Sequence, residues 1–258
     1  MLEKQLAAQV VSEVKKAVVG KDDIVVKALL AILARGHLLL EDIPGVGKTT
    51  LAIAFSKALG LKYNRVQFTP DVMPSDLTGF SLYNKATGQM EYQPGALLCN
   101  LFLADELNRA TSRTQSALLE AMEEGKVTVD GVSRPVPDPF LVVATQNPAG
   151  ASGTQLLPDS QLDRFALRLS MGYPAPADEL ELLQRKLRGG AMGEVAQAAD
   201  RAQLTALRAD VDRVFVDDEI LQYVLDLVRA TRNHPGLAQG ASPRAAISLC
   251  ALCRGVAY

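Results

Sequence analysis

This 258-residue sequence predicts an α/β protein with a mostly parallel sheet, helices on both of its faces, and a smaller all-helical part behind it. Three observations carry that prediction. Five short apolar runs of strand length alternate with stretches of helical periodicity, the first run passes through a glycine-rich bend straight into a helix, and beyond Gly172-Tyr173-Pro174-Ala175-Pro176 no strand-like run remains.

Taken in order, Leu6, Val10, Val14 and Ala17 stripe an opening helix that ends at Val18-Val19-Gly20. A second helix starts near Asp22, carries Ile24, Ala28, Leu29 and Ile32 on one face, and is closed by Gly36. Leu38 to Leu40 is the first buried strand, and Leu51, Ala54, Phe55 and Ala58 mark a helix over Thr49 to Leu59. Tyr63 to Thr69 alternates β-formers and reads as a second strand. From Pro70 the chain fills with Pro, Gly, Ser and Asp, and a turn at Lys85-Ala86-Thr87-Gly88 between aromatic and aliphatic flanks predicts a projecting hairpin near 79–95. Cys99 to Ala104 is a near-continuous apolar run, as a strand covered on both faces requires. A helix follows from Thr111 to Glu124, stopped by Gly125, and a second hairpin turns at Asp130-Gly131 near 126–137. Phe140 to Thr145 and Ala166 to Ser170 complete the five strands, with a short helix over Pro158 to Phe165 between them. Helices near 178–187, 202–210, 217–232 and 243–255 make the second part, so the expected division is 1–173 and 174–258. Gly189, Gly190 and the Ala-rich stretch of 191–202 read as a mobile connection.

Chemistry enters at the glycine-rich bend. In Pro44-Gly45-Val46-Gly47-Lys48-Thr49-Thr50 the glycines let backbone amides converge on an anion, and the helix N-terminus adds its positive end. Lys48 is placed to reach β- and γ-phosphates and Thr49 to offer a hydroxyl to Mg²⁺. The phosphate-loop pattern has glycine where this chain has Asp42, and a carboxylate packed against phosphates is costly, so the Asp42 side chain is expected to point away. At the end of the next core strand, Asp105 can hold Mg²⁺ through water and Glu106 can orient or deprotonate an attacking water. Asn147, at the end of the following strand, can hydrogen-bond that water or the γ-phosphate. Arg164 immediately precedes a core strand, where a projecting guanidinium can serve the γ-phosphate of a neighbouring subunit. Arg244 lies in Ser242-Pro243-Arg244, an N-cap and first-turn signature at the start of a helix.

Composition narrows the function classes. With 48% hydrophobic and 22% charged residues the chain is an ordinary globular protein. Its formal net charge of −2 and the absence of a dense Lys/Arg tract argue against a nucleic-acid binder. The charged, amphipathic N-terminus resembles neither a signal peptide nor an anchor, and no apolar run is long enough to span a bilayer. Three cysteines, Cys99, Cys250 and Cys253, fit a reducing compartment, so a cytoplasmic location is expected. Cys250-x-x-Cys253 lacks a second pair and lies in an apolar helical run, which points to core packing rather than zinc. His37 and His234 stand apart from other ligand-type residues and read as structural.

Together these residues resemble the AAA+ ATPases, and within them the MoxR family, along nearly the whole chain. EDIPGVGKTT is similar to the family's Walker A, LFLADELNRA to its Walker B, VVATQNP to its sensor 1 strand, LLPDSQLDRF to the arginine-finger segment and GASPRA to sensor 2. The resemblance implies ATP and Mg²⁺ as cofactors, with Val19 and Gly20 near adenine and Pro44, Gly45, Val46, Gly47, Lys48, Thr49 and Thr50 around the phosphates. It implies Thr49 and Asp105 on the metal, Glu106 as the catalytic carboxylate, Asn147 as sensor 1, Arg164 as the finger and Arg244 as sensor 2, in cis or in trans. It further implies strand order 5-1-4-3-2, a helical lid, a hexameric ring with ATP sites between subunits, and two hairpins facing the pore. Because the chain stops at Tyr258 soon after the sensor 2 helix, a shortened lid is expected.

The function this implies is a chaperone-like ATPase that remodels or matures partner proteins, among them proteins with a von Willebrand factor A domain. Two other classes share its motifs. A nucleic-acid motor would show ATPase activity raised many-fold by DNA or RNA with strong salt dependence, and the motor subunit of a metal chelatase would support metal insertion into a tetrapyrrole.

Overall fold

The computed structural model describes residues 2–147, 156–187 and 191–258. Helices α1 (Leu2–Ala17) and α2 (Asp22–Leu33) lead into strand β1 (Leu38–Glu41), and α3 (Lys48–Ala58) follows the glycine-rich bend. Next come β2 (Tyr63–Gln67), the short helix α4 (Pro74–Thr78) and the hairpin β3 (Gly79–Asn84) with β4 (Gln89–Pro94). Strand β5 (Leu101–Asp105) precedes α5 (Ser112–Glu124), the hairpin β6 (Lys126–Val129) with β7 (Val132–Pro135), and β8 (Leu141–Gln146). After α6 (Asp159–Leu162) and β9 (Leu167–Leu169) the described chain is helical: α7 (Pro176–Leu187), α8 (Arg201–Asp212), α9 (Asp218–Arg232) and α10 (Pro243–Ala257), with a 3-10 turn at Ala191–Glu194.

The sheet runs β2-β5-β8-β1-β9 with every pair parallel. Numbering only these five strands along the chain gives 2-3-4-1-5, which from the other edge is the expected 5-1-4-3-2. Side-chain alternation divides the core. Leu38, Leu40, Leu101, Leu103, Leu141 and Val143 point to the layer of α1, α2, α3 and α8, while Leu39, Phe102, Ala104, Val142 and Ala144 point to the layer of α4 and α5. The central strands β5 and β8 are buried at every residue. The edge strand β2 is at most half-buried, which is why its sequence alternates.

Register matters more for function than layering. Leu40 lies opposite Thr145, Ala104 opposite Ala144, and Gln67 opposite Asp105. The carboxyl ends of β1, β5 and β8 therefore finish at one level, the edge at which open parallel sheets receive ligands.

Several expectations need correcting. The connection through 191–202 is not a free linker where it is described: Val195 and Ala199 are buried, and Ala198 N and Ala199 N donate to Ala58 O at 2.9 and 3.0 Å. Its small apolar residues fit the end of α3, so burial and capping of that helix outweigh linker-like composition. Gly189, Gly190, Pro148 and the Gly/Ala/Ser stretch after it lie outside the described residues. Gly36 does not itself take the left-handed turn that ends α2. Arg35 does, at φ 58°, while a Cβ on Gly36 would come within 2.3 Å of Ala166 Cβ. Glycine is needed there for close approach of two segments. The cysteine pair does not pack in the core, since Cys250 is half-buried and Cys253 exposed; among the described residues no group of three His, Cys, Asp or Glu could hold a metal. Helix α4 is too short to show a period and was not anticipated.

Helix α8 is the innermost of the last four helices. Leu204, Leu207 and Val211 join the core shared by α1, α2 and α3, and Arg208 Nε donates to Ile32 O at 2.8 Å, satisfying a carbonyl at the end of α2. Burial, helped by the charge of Arg35, pushes the Arg208 guanidinium down to about 10. By contrast α7 buries no residue, and α9 buries only Val224 and Val228. Among the described residues no helix is long and apolar enough to cross a membrane.

Candidate functional site

The bend between β1 and α3 is built on two left-handed glycines, Gly45 at φ 86° and Gly47 at φ 97°, the second capping α3. Both angles are costly for any residue with a Cβ, and a Cβ on Gly47 would lie 3.7 Å from Met171 Cε. Pro44 and Gly45 are exposed, whereas Val46, Thr49 and Thr50 are half-buried. Lys48 is buried and its Nζ donates to the carbonyls of Asp42 and Ile43. Burial lowers its pKa, and the negative charges of Asp42, Asp105 and Glu106 oppose the shift, so Lys48 senses the acids at two strand ends.

Asp42 points away from the bend, as expected. Its Oδ2 accepts from Ser170 Oγ at 2.9 Å and Gly172 N at 2.5 Å, and its Oδ1 from Ile43 N at 2.8 Å. Burial raises its pKa, but donors from Gly172, Ser170, Ile43 and Met171 outweigh burial and hold the carboxyl below its usual value.

Next to the bend lies a cavity of about 200 Å³ whose lining includes Val18, Val19, Gly45, Gly47, Thr50 and Met171. Leu182 of α7 closes one side, and Gly20 sits against Asp178 of the same helix. The structure thus brings Val19, Gly45, Val46, Gly47 and Thr50 around one space, with apolar Val18, Met171 and Leu182 also in its walls. An apolar lining joined to a glycine-rich bend suits a nucleotide.

Across the bend stand the strand-end carboxylates. Asp105 Oδ1 accepts from Thr145 Oγ1 at 2.7 Å, and Oδ2 takes Arg65 through Nη2 at 2.7 Å and Nε at 3.1 Å. Glu106 has φ 57°, a left-handed conformation that costs a non-glycine residue about 1 kcal/mol or more. It is held there by its N–H donating to Thr145 Oγ1 at 2.8 Å. Its carboxylate accepts from Asn147 Nδ2 at 3.2 Å and pairs with Arg109 Nη1 at 2.8 Å. Lys48, Asp105, Glu106 and Asn147 therefore converge, with Thr49 at the base of the bend.

Arg164 and Arg244 are elsewhere. They meet each other on Glu123 of α5, beside a second cavity that shares no lining residue with the first. Reading the sequence did not find Arg65, Thr145, Arg109 or Glu123 as partners of the site. Thr145 and Arg109 sit within quoted motifs, so position was their signal. Arg65 and Glu123 carry none.

A model described as the ATPase family associated with various cellular activities (AAA) matches residues 37–167. The chain is 46% identical over 244 residues to the uncharacterized protein YeaC of Bacillus subtilis, covering 95% of this chain and 76% of that one. It is 39% identical over 254 residues to Chaperone MoxR1 of Mycobacterium tuberculosis, covering 95% and 67%. A crystal structure from Cytophaga hutchinsonii, of a protein described as a candidate ATPase, superposes with a TM-score of 0.89 at 36% identity, covering 99% of this chain and 80% of that one.

Proposed function

This chain belongs to the MoxR family of AAA ATPases and is an ATPase, and from that premise we propose a Mg²⁺-dependent, chaperone-like motor that remodels partner proteins as a ring with active sites between subunits. The observation that carries the proposal is the convergence of Lys48, Asp105, Glu106 and Asn147 at one sheet edge, with Arg164 and Arg244 gathered at a different cavity of the same chain. One subunit then holds a nucleotide and lacks its cationic partner, which an adjoining subunit supplies.

In this reading Gly45, Val46, Gly47, Lys48, Thr49 and Thr50 hold the phosphates, Val19 and Gly20 flank the base, and Glu106 orients or deprotonates the attacking water with Asn147 fixing its carboxylate. Thr49 and Asp105 would hold Mg²⁺. A hydroxyl and a carboxylate are the hard oxygen donors this ion takes, directly or through the waters it keeps, when phosphates complete the shell. When bound, the ion neutralises charge on the β- and γ-phosphates. Arg164 acts on the neighbour's γ-phosphate with Arg244 beside it, so both work in trans. Residues 1–173 form the nucleotide-binding part and 174–258 the helical part, with α8 its docked inner layer. The two hairpins face the ring's centre, and von Willebrand factor A domain proteins are among the clients.

Lys48→Ala should abolish nucleotide binding, while Glu106→Gln should bind ATP and fail to turn it over. Wild-type turnover in both variants would end the assignment of the site. For the clients, purified von Willebrand factor A domain proteins should be retained by the Glu106→Gln protein with ATP and released with ADP. Equal retention in the two states would remove the remodelling role.

A further inference from the structure

Glu123 occupies the last turn of α5, at the negative end of the helix dipole, a position that disfavours a carboxylate unless cations come to it. Two do. Its Oε2 pairs with Arg164 Nη1 and its Oε1 with Arg244 Nη2 at 2.5 Å, so each oxygen of one carboxylate takes one guanidinium. The two arginines arrive from separate parts of the chain, Arg164 from the turn between α6 and β9 and Arg244 from the first turn of α10. Asp163 braces the joint by accepting from Ser242 Oγ at 2.5 Å, and its Oδ2 lies 3.9 Å from Arg244 Nη1. Arg164 Nη1 also donates to Leu119 O at 3.1 Å, while its Nε is buried with no hydrogen-bond partner among the described residues, leaving donor capacity unused. A cavity of about 230 Å³ adjoins the pair.

Two guanidiniums converging on an oxyanion is the arrangement that recognises phosphate. Here the oxyanion is part of the same chain and carries a single charge. We infer that Glu123 is a positioning residue that parks Arg164 and Arg244 together and competes for them with the terminal phosphate of the nucleotide on an adjoining subunit. The inference rests on the reading that both arginines act between subunits. Contact with a loaded neighbour must break two ion pairs within the subunit before new ones form, so Glu123 raises the protein concentration at which subunits join and hydrolyse.

The test is ATPase rate per subunit against protein concentration, at saturating Mg-ATP, for the full wild-type chain and for Glu123→Gln. Partly exposed ion pairs of this kind correspond together to about tenfold in an equilibrium constant. The half-maximal concentration of Glu123→Gln is therefore expected to fall about tenfold. A residue with a merely structural role would leave that midpoint unmoved or raise it, and either result overturns the inference. Binding of ADP, whose cavity lies apart from Glu123, reports that the variant is folded. If Glu123→Gln does not bind ADP, Glu123→Asp carries the test: it keeps the charge but is too short to span both arginines, and its midpoint should fall about threefold. A midpoint at or above wild type would overturn the inference there too. If wild-type turnover does not depend on concentration at all, the interfacial reading fails and Glu123's role fails with it; a concentration-dependent wild type beside an unmoved variant removes only Glu123's role.

Discussion

Thr145 uses one hydroxyl twice, donating to Asp105 and accepting from the N–H of Glu106. It is the link that sets both carboxylates with respect to each other. Thr145→Val keeps the shape of the side chain and loses both bonds, leaving Glu106 without support for its left-handed backbone. The expected outcome is a fall in kcat of about 10- to 100-fold, corresponding to about 1.4–2.8 kcal/mol, with ADP affinity little changed. Steady-state ATPase rates and an equilibrium titration check it, and a kcat within twofold of wild type would show that the link does not matter. His37 makes a different prediction. Its Nδ1 accepts from Val142 N at 3.0 Å and its Nε2 meets Met122 O at 3.2 Å, an arrangement for the neutral ring. Burial, against the Met122 bond, lowers its pKa to about 4 from 6.5. The unfolded chain therefore takes up a proton at a higher pH than the folded one. The stability from neutral His37 is complete above pH 6.5 and declines as pH falls toward 4, by about 3 kcal/mol in all. Urea unfolding at pH 7 and pH 5 should show this slope, and His37→Gln, which does not titrate, should lack it. Asp105, Glu106 and Asn147 could be picked out from sequence because each sits at a strand end that the apolar runs mark, and Lys48 because the glycine-rich bend opens at it into a helix. Arg65 and Glu123 could not, because pairs such as Arg65 with Asp105 join residues 40 apart and leave no local period.

At the scale of elements, the positions of strands and most helices were legible because burial on one or both faces imposes a period on the sequence. What periodicity does not reveal is which helix packs where. The same amphipathic pattern describes α8 and α9, yet α8 lies inside the core with Leu204 and Leu207 buried, while Ile220, Leu221, Tyr223 and Leu225 of α9 are exposed. Leu207→Ala should destabilise the protein by about 2–5 kcal/mol, and because its cluster includes α1, α2 and α3, unfolding should stay a single transition. An early melt of α8 alone would show that it is separable. The cysteines distinguish elements chemically. Burial pushes the Cys99 thiol up to about 12, whereas Cys253 lies exposed on α10. A thiol reagent at neutral pH should label Cys253 first and reach Cys99 only on unfolding, as peptide mass mapping would show. The hairpins are also linked, since Arg134 of β7 stacks its guanidinium 3.9 Å over the Tyr92 ring of β4. Two features that look independent in sequence are one projection.

For the whole molecule, the proposed action between subunits rests on the separation of the two cavities. Arg164→Ala should retain nucleotide and lose hydrolysis, and mixing it with Glu106→Gln should restore part of the activity, since each supplies what the other lacks at some junctions. No recovery at any mixing ratio would place the arginine's action within its own subunit. The order of the sheet was legible only through the resemblance, because chain-local patterns do not say which strands pair. Asp42 shows what such patterns leave out. In sequence it is a departure from a glycine consensus; in the structure it fastens the start of the phosphate loop to Ser170 and Gly172, while Lys21 Nζ holds Tyr173 O at 2.8 Å. These residues lead directly into α7, whose Leu182 closes one side of the cavity beside the bend. The loop is thus tied to the segment that leads into α7. Restoring the consensus with Asp42→Gly would cut that tether, so the variant closer to the motif should bind nucleotide more weakly than the natural one.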